Sequence, residues 1–186
     1  VTITGLAAPG SSGFSSETML VDLEVDGREE RLVIRGEPLG FLQTTAEHTS
    51  FRLVVEWRWA AGAAARLGKV PNSGVLLRVN GEPRPIPRAL EAQLRAGDAG
   101  DLYGFWGMTL DGDPARRREK KADPMLGDMV GFTKAEAAEK PEGEWNLYEI
   151  TVDGPSVVVH VNGKKVNEAK AATVIPAIVI GNPWKK

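Results

Sequence analysis

Short stretches of alternating apolar and polar residues dominate the chain, and turn-forming residues separate them. Alternation with a period of two places apolar side chains on one face of a strand, whereas an amphipathic helix repeats about every 3.6 residues. The pattern predicts strands at 19–25, 31–35, 51–59, 76–79, 89–94, 147–152, 156–161 and 164–166, with a last apolar run at 174–180. We therefore predict an all-β fold, a jelly-roll sandwich of two antiparallel sheets.

Turn-forming residues support this order of strands. Asp26-Gly27 and Asn162-Gly163 are pairs that suit the tight turn of a β-hairpin. The segment 109–143 is predicted as one long loop, because its only regular signal, helix-forming residues at 133–139, is short and has little apolar surface. With no internal repeat, residues 1–186 are predicted to form a single domain.

The alternation also predicts which face of each strand is buried. In the strand at 51–59, the apolar residues Phe51, Leu53, Val55, Trp57 and Trp59 share one face. The opposite faces of this strand and of its neighbours carry long polar side chains, namely Glu56, Arg58, Arg78, Glu91 and Gln93. Such a face is either a plain solvated side of an antiparallel sheet or a groove whose donors and acceptors bind sugar hydroxyls.

Composition narrows the function classes. The formal net charge of −2 provides no field that would favour nucleic acid or an anionic membrane. The chain has no cysteine, which excludes disulfides and thiolate chemistry. No apolar run approaches the ~20 residues that span a bilayer. The basic cluster at 116–121 is predicted to be a solvated loop face.

A series of short motifs resembles one enzyme family. The motifs lie between residues 40 and 167 in a fixed order: FRLVVEWR at 51–58, PNSGVLLR at 71–78, LEAQL at 90–94, GDLYG at 100–104, KKAD at 120–123, GEWNLYEI at 143–150 and VNGKKVN at 161–167. Each motif is weak alone, but their order and spacing together are specific. On these residues the chain resembles the 3-keto-disaccharide hydrolase family.

The resemblance implies a concanavalin-like jelly roll and a hydrolase or lyase that acts on 3-keto-glucosides. It also implies a secreted or periplasmic protein with a small-molecule or oligosaccharide substrate. The paired carboxylates that an ordinary retaining glycosidase places on one strand, as in E-x-D-x-E, are absent. Cleavage of a 3-keto sugar does not require two carboxylates. Its ketone acidifies the C2 proton, so one base and one group that stabilises the oxyanion suffice.

We assign candidate roles on this basis. Glu91 is the candidate base, Arg78 the clamp on the oxyanion or a hydroxyl, and Gln93 an orienting partner. Further substrate contacts are expected from Glu56, Arg58, Asp101, Tyr103, Trp106 and Lys121. A turn-capping role for Asp101 and a core position for Trp106 compete with these roles.

Two alternatives to an enzyme stay open. The same fold serves lectins, so the chain is alternatively a non-catalytic carbohydrate-binding module. An unpaired sheet edge would instead serve as an assembly surface. The sequence shows no clear ligand set for a divalent metal, and it leaves the cofactor and the oligomeric state undetermined.

Overall fold

The computed structural model describes residues 2–7, 18–25, 28–35, 48–82 and 84–171. The predictions for the turn Asp26-Gly27 and the run at 174–180 lie outside these residues. Within them nearly all of the regular secondary structure is strand. The strands are β1 (Thr2–Ala7), β2 (Thr18–Val25), β3 (Arg28–Arg35), β4 (Phe51–Trp57), β5 (Gly74–Asn80), β6 (Arg88–Gln93), β7 (Leu102–Gly104), β8 (Leu110–Asp111), β9 (Arg117–Asp123), β10 (Gly127–Phe132), β11 (Asn146–Asp153), β12 (Ser156–Val161) and β13 (Lys164–Ala171).

The strands form two sheets, which confirms the predicted all-β sandwich. One sheet has eight strands in the order β3-β2-β1-β4-β11-β12-β13-β8, and the other has five in the order β5-β6-β7-β10-β9. All neighbouring pairs are antiparallel except β1 and β4, which pair in parallel at Thr2 and Val54. The only α-helix in the described part is α1 (Ala63–Leu67), and no helix there is long and apolar enough to cross a membrane.

The core lies between the two sheets, where the alternation predicts it. β4 contributes buried Trp57, and Phe51, Leu53, Val55 and Trp59 pack against the same cluster. From the five-stranded sheet come Leu77, Leu90, Ala92, Leu102, Val130 and Phe132, while Tyr148, Ile150, Val157 and Val159 come from the facing sheet. Since one face of β6 enters this core through Leu90 and Ala92, Glu91 and Gln93 must point to the other face.

Three features differ from the sequence expectations. The segment 109–143 is not one loop, because it contains β8, β9 and β10. β9 has the sequence RREKKAD, and such charged residues are poor β-formers that nevertheless suit the exposed edge of a sheet. Residues 133–139 form no helix, as predicted, whereas the strand predicted at 51–59 ends two residues early, at Trp57.

The third difference concerns the predicted polar groove. Glu56 belongs to β4 in the eight-stranded sheet, and Arg58 directly follows that strand, whereas Glu91 and Gln93 belong to β6 in the five-stranded sheet. The outer faces of the two layers of a sandwich point in opposite directions. The five polar residues therefore do not form one groove, because alternation fixes the side of a strand but not the sheet to which it belongs.

Candidate functional site

A row of residues crosses the outer face of the five-stranded sheet, with Glu91 near its middle. Leu76 is paired with Glu91, and Glu91 with Tyr103. Tyr103 is paired with Gly131, and Gly131 with Arg118. Directly paired residues point to the same face, so the register brings a carboxylate, a phenol and a guanidinium onto one surface.

Glu91 sits in space that a glycine provides. A Cβ atom on Gly74 would lie 2.1 Å from Oε1 of Glu91, so no larger residue fits there without moving the carboxylate. Burial removes the charged carboxylate from water and raises the pKa of Glu91 to about 7. At neutral pH such a group readily accepts and returns a proton, which is what a general base requires.

Gln93 fixes the orientation of Glu91. Its Oε1 accepts hydrogen bonds from the backbone N–H groups of Leu94 and Arg95, at 2.9 and 2.8 Å. These two bonds assign the oxygen end of the amide, so its NH2 group faces Glu91 and donates to Oε2 across 3.3 Å. The hydroxyl of Tyr148, on the opposite sheet, donates to the backbone carbonyl of Gln93 at 3.2 Å. This bond links the end of β6 to the eight-stranded sheet.

Tyr103 and Asp101 form a second anchored pair beside Glu91. The Tyr103 hydroxyl donates to Oδ2 of Asp101 at 3.0 Å, and the backbone N–H of Lys134 donates to Oδ1 at 2.8 Å. Burial, and then the carboxylate of Asp101, raise the pKa of Tyr103, so its phenol stays protonated. Asp101 is buried and thus both caps the loop at Lys134 and positions Tyr103.

Arg118 brings a cation to this face, and the sequence analysis did not select it as a site residue. It is exposed, and its Nη1 donates to the carbonyl of its neighbour Arg117 at 2.8 Å. A Cβ on Gly131 would lie 2.2 Å from the Tyr103 ring, so this glycine lets the ring lean toward Arg118. The missed signal was the alternation in 117–123, where Arg117 packs over Phe132 and Arg118 points the other way.

Arg78 does not join Glu91 and Gln93. Its backbone has a φ of 55°, in a bulge of β5, and its Nη2 donates to the carbonyl of Gly154 in the turn between β11 and β12. Nε and Nη1 are buried and have no hydrogen-bond partner among the described residues. The bulge breaks the alternation that predicted Arg78 on the same face as Glu91.

Glu56 and Arg58 lie away from this site, on the side of the eight-stranded sheet. Both are exposed, and the Arg58 guanidinium stacks 4.7 Å from the ring centroid of Trp145. On the same sheet Arg52 forms an ion pair with Glu149. Of the two alternatives that the sequence left open, a solvated face or a sugar-binding groove, this surface corresponds to the solvated face.

Trp106 and Lys121 lie near one another at the end of the five-stranded sheet. Trp106 is half-buried and lines a cleft instead of joining the core between the sheets. Lys121 is exposed and pairs with Asp128, another residue of that cleft, at 3.3 Å.

No group of three or more His, Asp or Glu side chains that could hold a metal ion occurs in the described part of the chain. The carboxylates nearest Glu91 are instead occupied within the protein, as the bonds of Asp101 to Tyr103 and Lys134 show. The side chains of Glu91 and Tyr103 can exchange protons and form hydrogen bonds with a substrate.

The chain matches one known protein family over most of its length. A family model described as a 3-keto-alpha-glucoside-1,2-lyase-like domain matches residues 12–175. None of the curated proteins matches the chain. Among solved structures, the chain is similar to a "putative glycosyl hydrolase" from Parabacteroides distasonis, with 18% identity and a TM-score of 0.41. That alignment covers 68% of this chain, which spans 52% of the other. Because the family model matches most of its length, this chain belongs to the 3-keto-alpha-glucoside-1,2-lyase-like domain family.

Proposed function

We propose that the chain cleaves 3-keto-glucosides by 1,2-elimination, with Glu91 as the base that takes the C2 proton. The observation that carries this proposal is the place of Glu91: a half-buried carboxylate on the outer face of the five-stranded sheet, with Gln93 and Tyr103 as its polar neighbours. Its raised pKa, about 7, supports the role. The family to which the chain belongs supports the choice of a 3-keto substrate.

The chemistry needs only one proton carrier. Glu91 breaks the C2–H bond, and the electron pair moves into an enolate on the C3 oxygen. The enolate then re-forms the C3 ketone as the C1–O bond breaks and a C1=C2 double bond forms. The aglycone oxygen leaves with the proton that Glu91 has taken. One unsaturated keto sugar and one free aglycone alcohol result, and no water is consumed.

Arg118 is the proposed partner of the enolate oxygen. It lies three strands from Glu91, about 14 Å between Cα atoms at ~4.8 Å per strand, and a sugar ring and an extended arginine side chain fit within that span. A cation at the developing oxyanion stabilises the transition state more than the substrate. Arg78 is less suitable, because its guanidinium is bound to Gly154 in the turn between β11 and β12.

Asp101 and Gln93 are proposed as positioning residues. Asp101 holds the Tyr103 hydroxyl, which shapes the surface next to Glu91. Gln93 keeps the Glu91 carboxylate in one place. In keeping with the family resemblance, we also propose a secreted or periplasmic location, where such glucosides would be met.

Product analysis tests the proposed reaction. The purified chain is incubated with a 3-keto-glucoside, with and without a chelator, and the products are identified by mass spectrometry. Elimination predicts an unsaturated keto sugar with the mass of the substrate minus the aglycone alcohol, and equal rates with the chelator. A protein that binds the sugar but releases no aglycone would overturn the proposal in favour of a carbohydrate-binding module.

A further inference from the structure

A cleft of about 380 Å³ opens at one end of the five-stranded sheet. The side chains that line it come from the loop before β6, the first residue of β6, the turn after β7 and the start of β10, and they are Glu82, Arg84, Arg88, Trp106 and Asp128. It begins three residues along β6 from Glu91, which corresponds to about 10 Å at ~3.3 Å per residue. Its volume is within the ~300–1,000 Å³ of small-molecule sites.

The indole of Trp106 is held rigidly in this cleft. Its Nε1 donates to the carbonyl of Ile86 at 2.9 Å, and its backbone N–H donates to the carbonyl of Leu126 at 2.8 Å. A Cβ on Gly127 would lie 2.3 Å from the ring, so only glycine admits the ring there. The backbone of Trp106 has a φ of 54°, a conformation that is rare for a large residue and that marks functional sites more often than others.

A cation covers the ring of Trp106. The guanidinium carbon of Arg84 lies 4.0 Å from the ring centroid, although Arg84 itself is exposed. An exposed cation–π contact is weak, so a ligand can displace it at small cost. The C–H bonds on the apolar face of a pyranose are weakly positive, so a sugar ring packs on an indole for the same electrostatic reason.

The polar residues of the cleft suit a neutral ligand. Among the lining residues, two arginines, Arg84 and Arg88, are matched by the carboxylates of Glu82 and Asp128, and Asp128 also pairs with Lys121. Arg88 is fixed by bonds from Nη1 to Asn80 at 2.6 Å and from Nε to the carbonyl of Trp106 at 3.1 Å. Donors and acceptors around one flat ring match the hydroxyls of a sugar, whereas an anion would meet two carboxylates.

We propose that this cleft binds one neutral sugar ring, which stacks on Trp106 in the place that Arg84 takes in the free protein. The choice of a sugar rests on the proposed function, because a chain that acts on glycosides meets further sugar units of the same substrates. The site is separate from Glu91, so it binds sugars that have no ketone.

Nuclear magnetic resonance with methyl α-D-glucoside tests the proposal. The indole N–H signal of Trp106 is assigned as the one that W106F loses, and the glucoside is then titrated into the wild-type chain. We expect a saturable shift of this signal and binding about tenfold weaker in W106L. R84A should bind about two- to fivefold more tightly, since the competing cation is gone.

Two results would overturn the proposal: a Trp106 signal that stays unmoved while the glucoside is raised to its practical limit, or equal affinity in W106L and wild type. If W106L does not fold, as judged by thermal unfolding, the titrations of wild type and R84A decide alone. Turnover of a 3-keto-glucoside without a shift of the Trp106 signal would refute only the proposed sugar site in the cleft. A shift without turnover would refute only the proposed elimination.

Discussion

The amide NH2 group of Gln93 donates to the carboxylate of Glu91 across 3.3 Å, and two backbone N–H groups prevent that amide from turning over. The bond stabilises the charged form of Glu91, whereas burial opposes it. Burial prevails, and it raises the pKa of this candidate base to about 7.

Replacing Gln93 with Glu should change the pH profile of the enzyme. The new side chain has the same shape, but it places a second carboxylate next to Glu91, and like charges raise the pKa of the pair. The acidic limb of kcat/KM should move to higher pH by about one unit, with KM changed less than kcat. Q93E with an unmoved acidic limb would show that Gln93 does not act on Glu91.

Gly74→Ala should displace the Glu91 carboxylate. An added Cβ would lie 2.1 Å from Oε1 and 2.7 Å from the carboxyl carbon, so the side chain must swing away. Misplacing a catalytic group by about 1 Å costs about 10²-fold in rate. We expect that loss in kcat with little change in thermal stability, because the end of a flexible side chain can move. Ser73→Ala, at the exposed neighbouring position, is the control and should keep full activity.

The stability of the fold should depend on pH through Glu91. Its pKa is raised from 4.5 to about 7, so the carboxyl is protonated in both the folded and the unfolded states below about pH 4.5. Between pH 4.5 and 7 the unfolded state loses its proton first, and the free energy of unfolding decreases by a few kcal/mol at most.

Glu91→Gln removes this titration and leaves a neutral side chain of the same size. Chemical denaturation should therefore find E91Q more stable than wild type at pH 8, by on the order of 2 kcal/mol, and nearly equal at pH 4. Glu56→Gln, an exposed change on the other sheet, is the control. A difference between E91Q and wild type that is the same at both pH values would contradict the burial of a titrating Glu91.

Arg118→Ala should reduce kcat by about 10²–10³-fold, the usual cost of removing one group that stabilises an oxyanion. Arg118 is exposed, so the fold should not change. Arg118→Lys keeps the charge and should recover part of the rate. Arg52→Ala, which removes an exposed arginine from the eight-stranded sheet, should leave turnover unaffected. An R118A variant with wild-type kcat would remove Arg118 from the mechanism.

The central strands of the fold were predictable because their local sequence pattern agrees with their burial in the folded protein. β4 and β6 alternate over most of their length, so the inward positions of Phe51 and Leu90 and the opposite position of Glu91 follow from the sequence. The predicted strand at 51–59 ends two residues early, at Trp57. Strand ends depend on pairing partners, which a local pattern does not contain.

Parts of the candidate site were not predictable, for two physical reasons. Assignment of a strand to a sheet is a long-range property, so Glu56 and Glu91 seemed to share a face although they lie on different sheets. Backbone irregularities also redirect side chains: the bulge at Arg78 takes its guanidinium to Gly154. The charged edge strand β9, which contains Arg118, has a composition typical of a loop. The pairing of Arg118 with Gly131 was therefore found only in the structure.

The most direct measurement for the central claim is the rate of aglycone release from a 3-keto-glucoside by wild type and by E91Q, across pH 5 to 9. If Glu91 is the base, kcat/KM of the wild type rises with pH and levels off above an apparent pKa near 7. E91Q should then be at least about 10²-fold slower at every pH. E91Q that releases the aglycone at the wild-type rate would contradict the account.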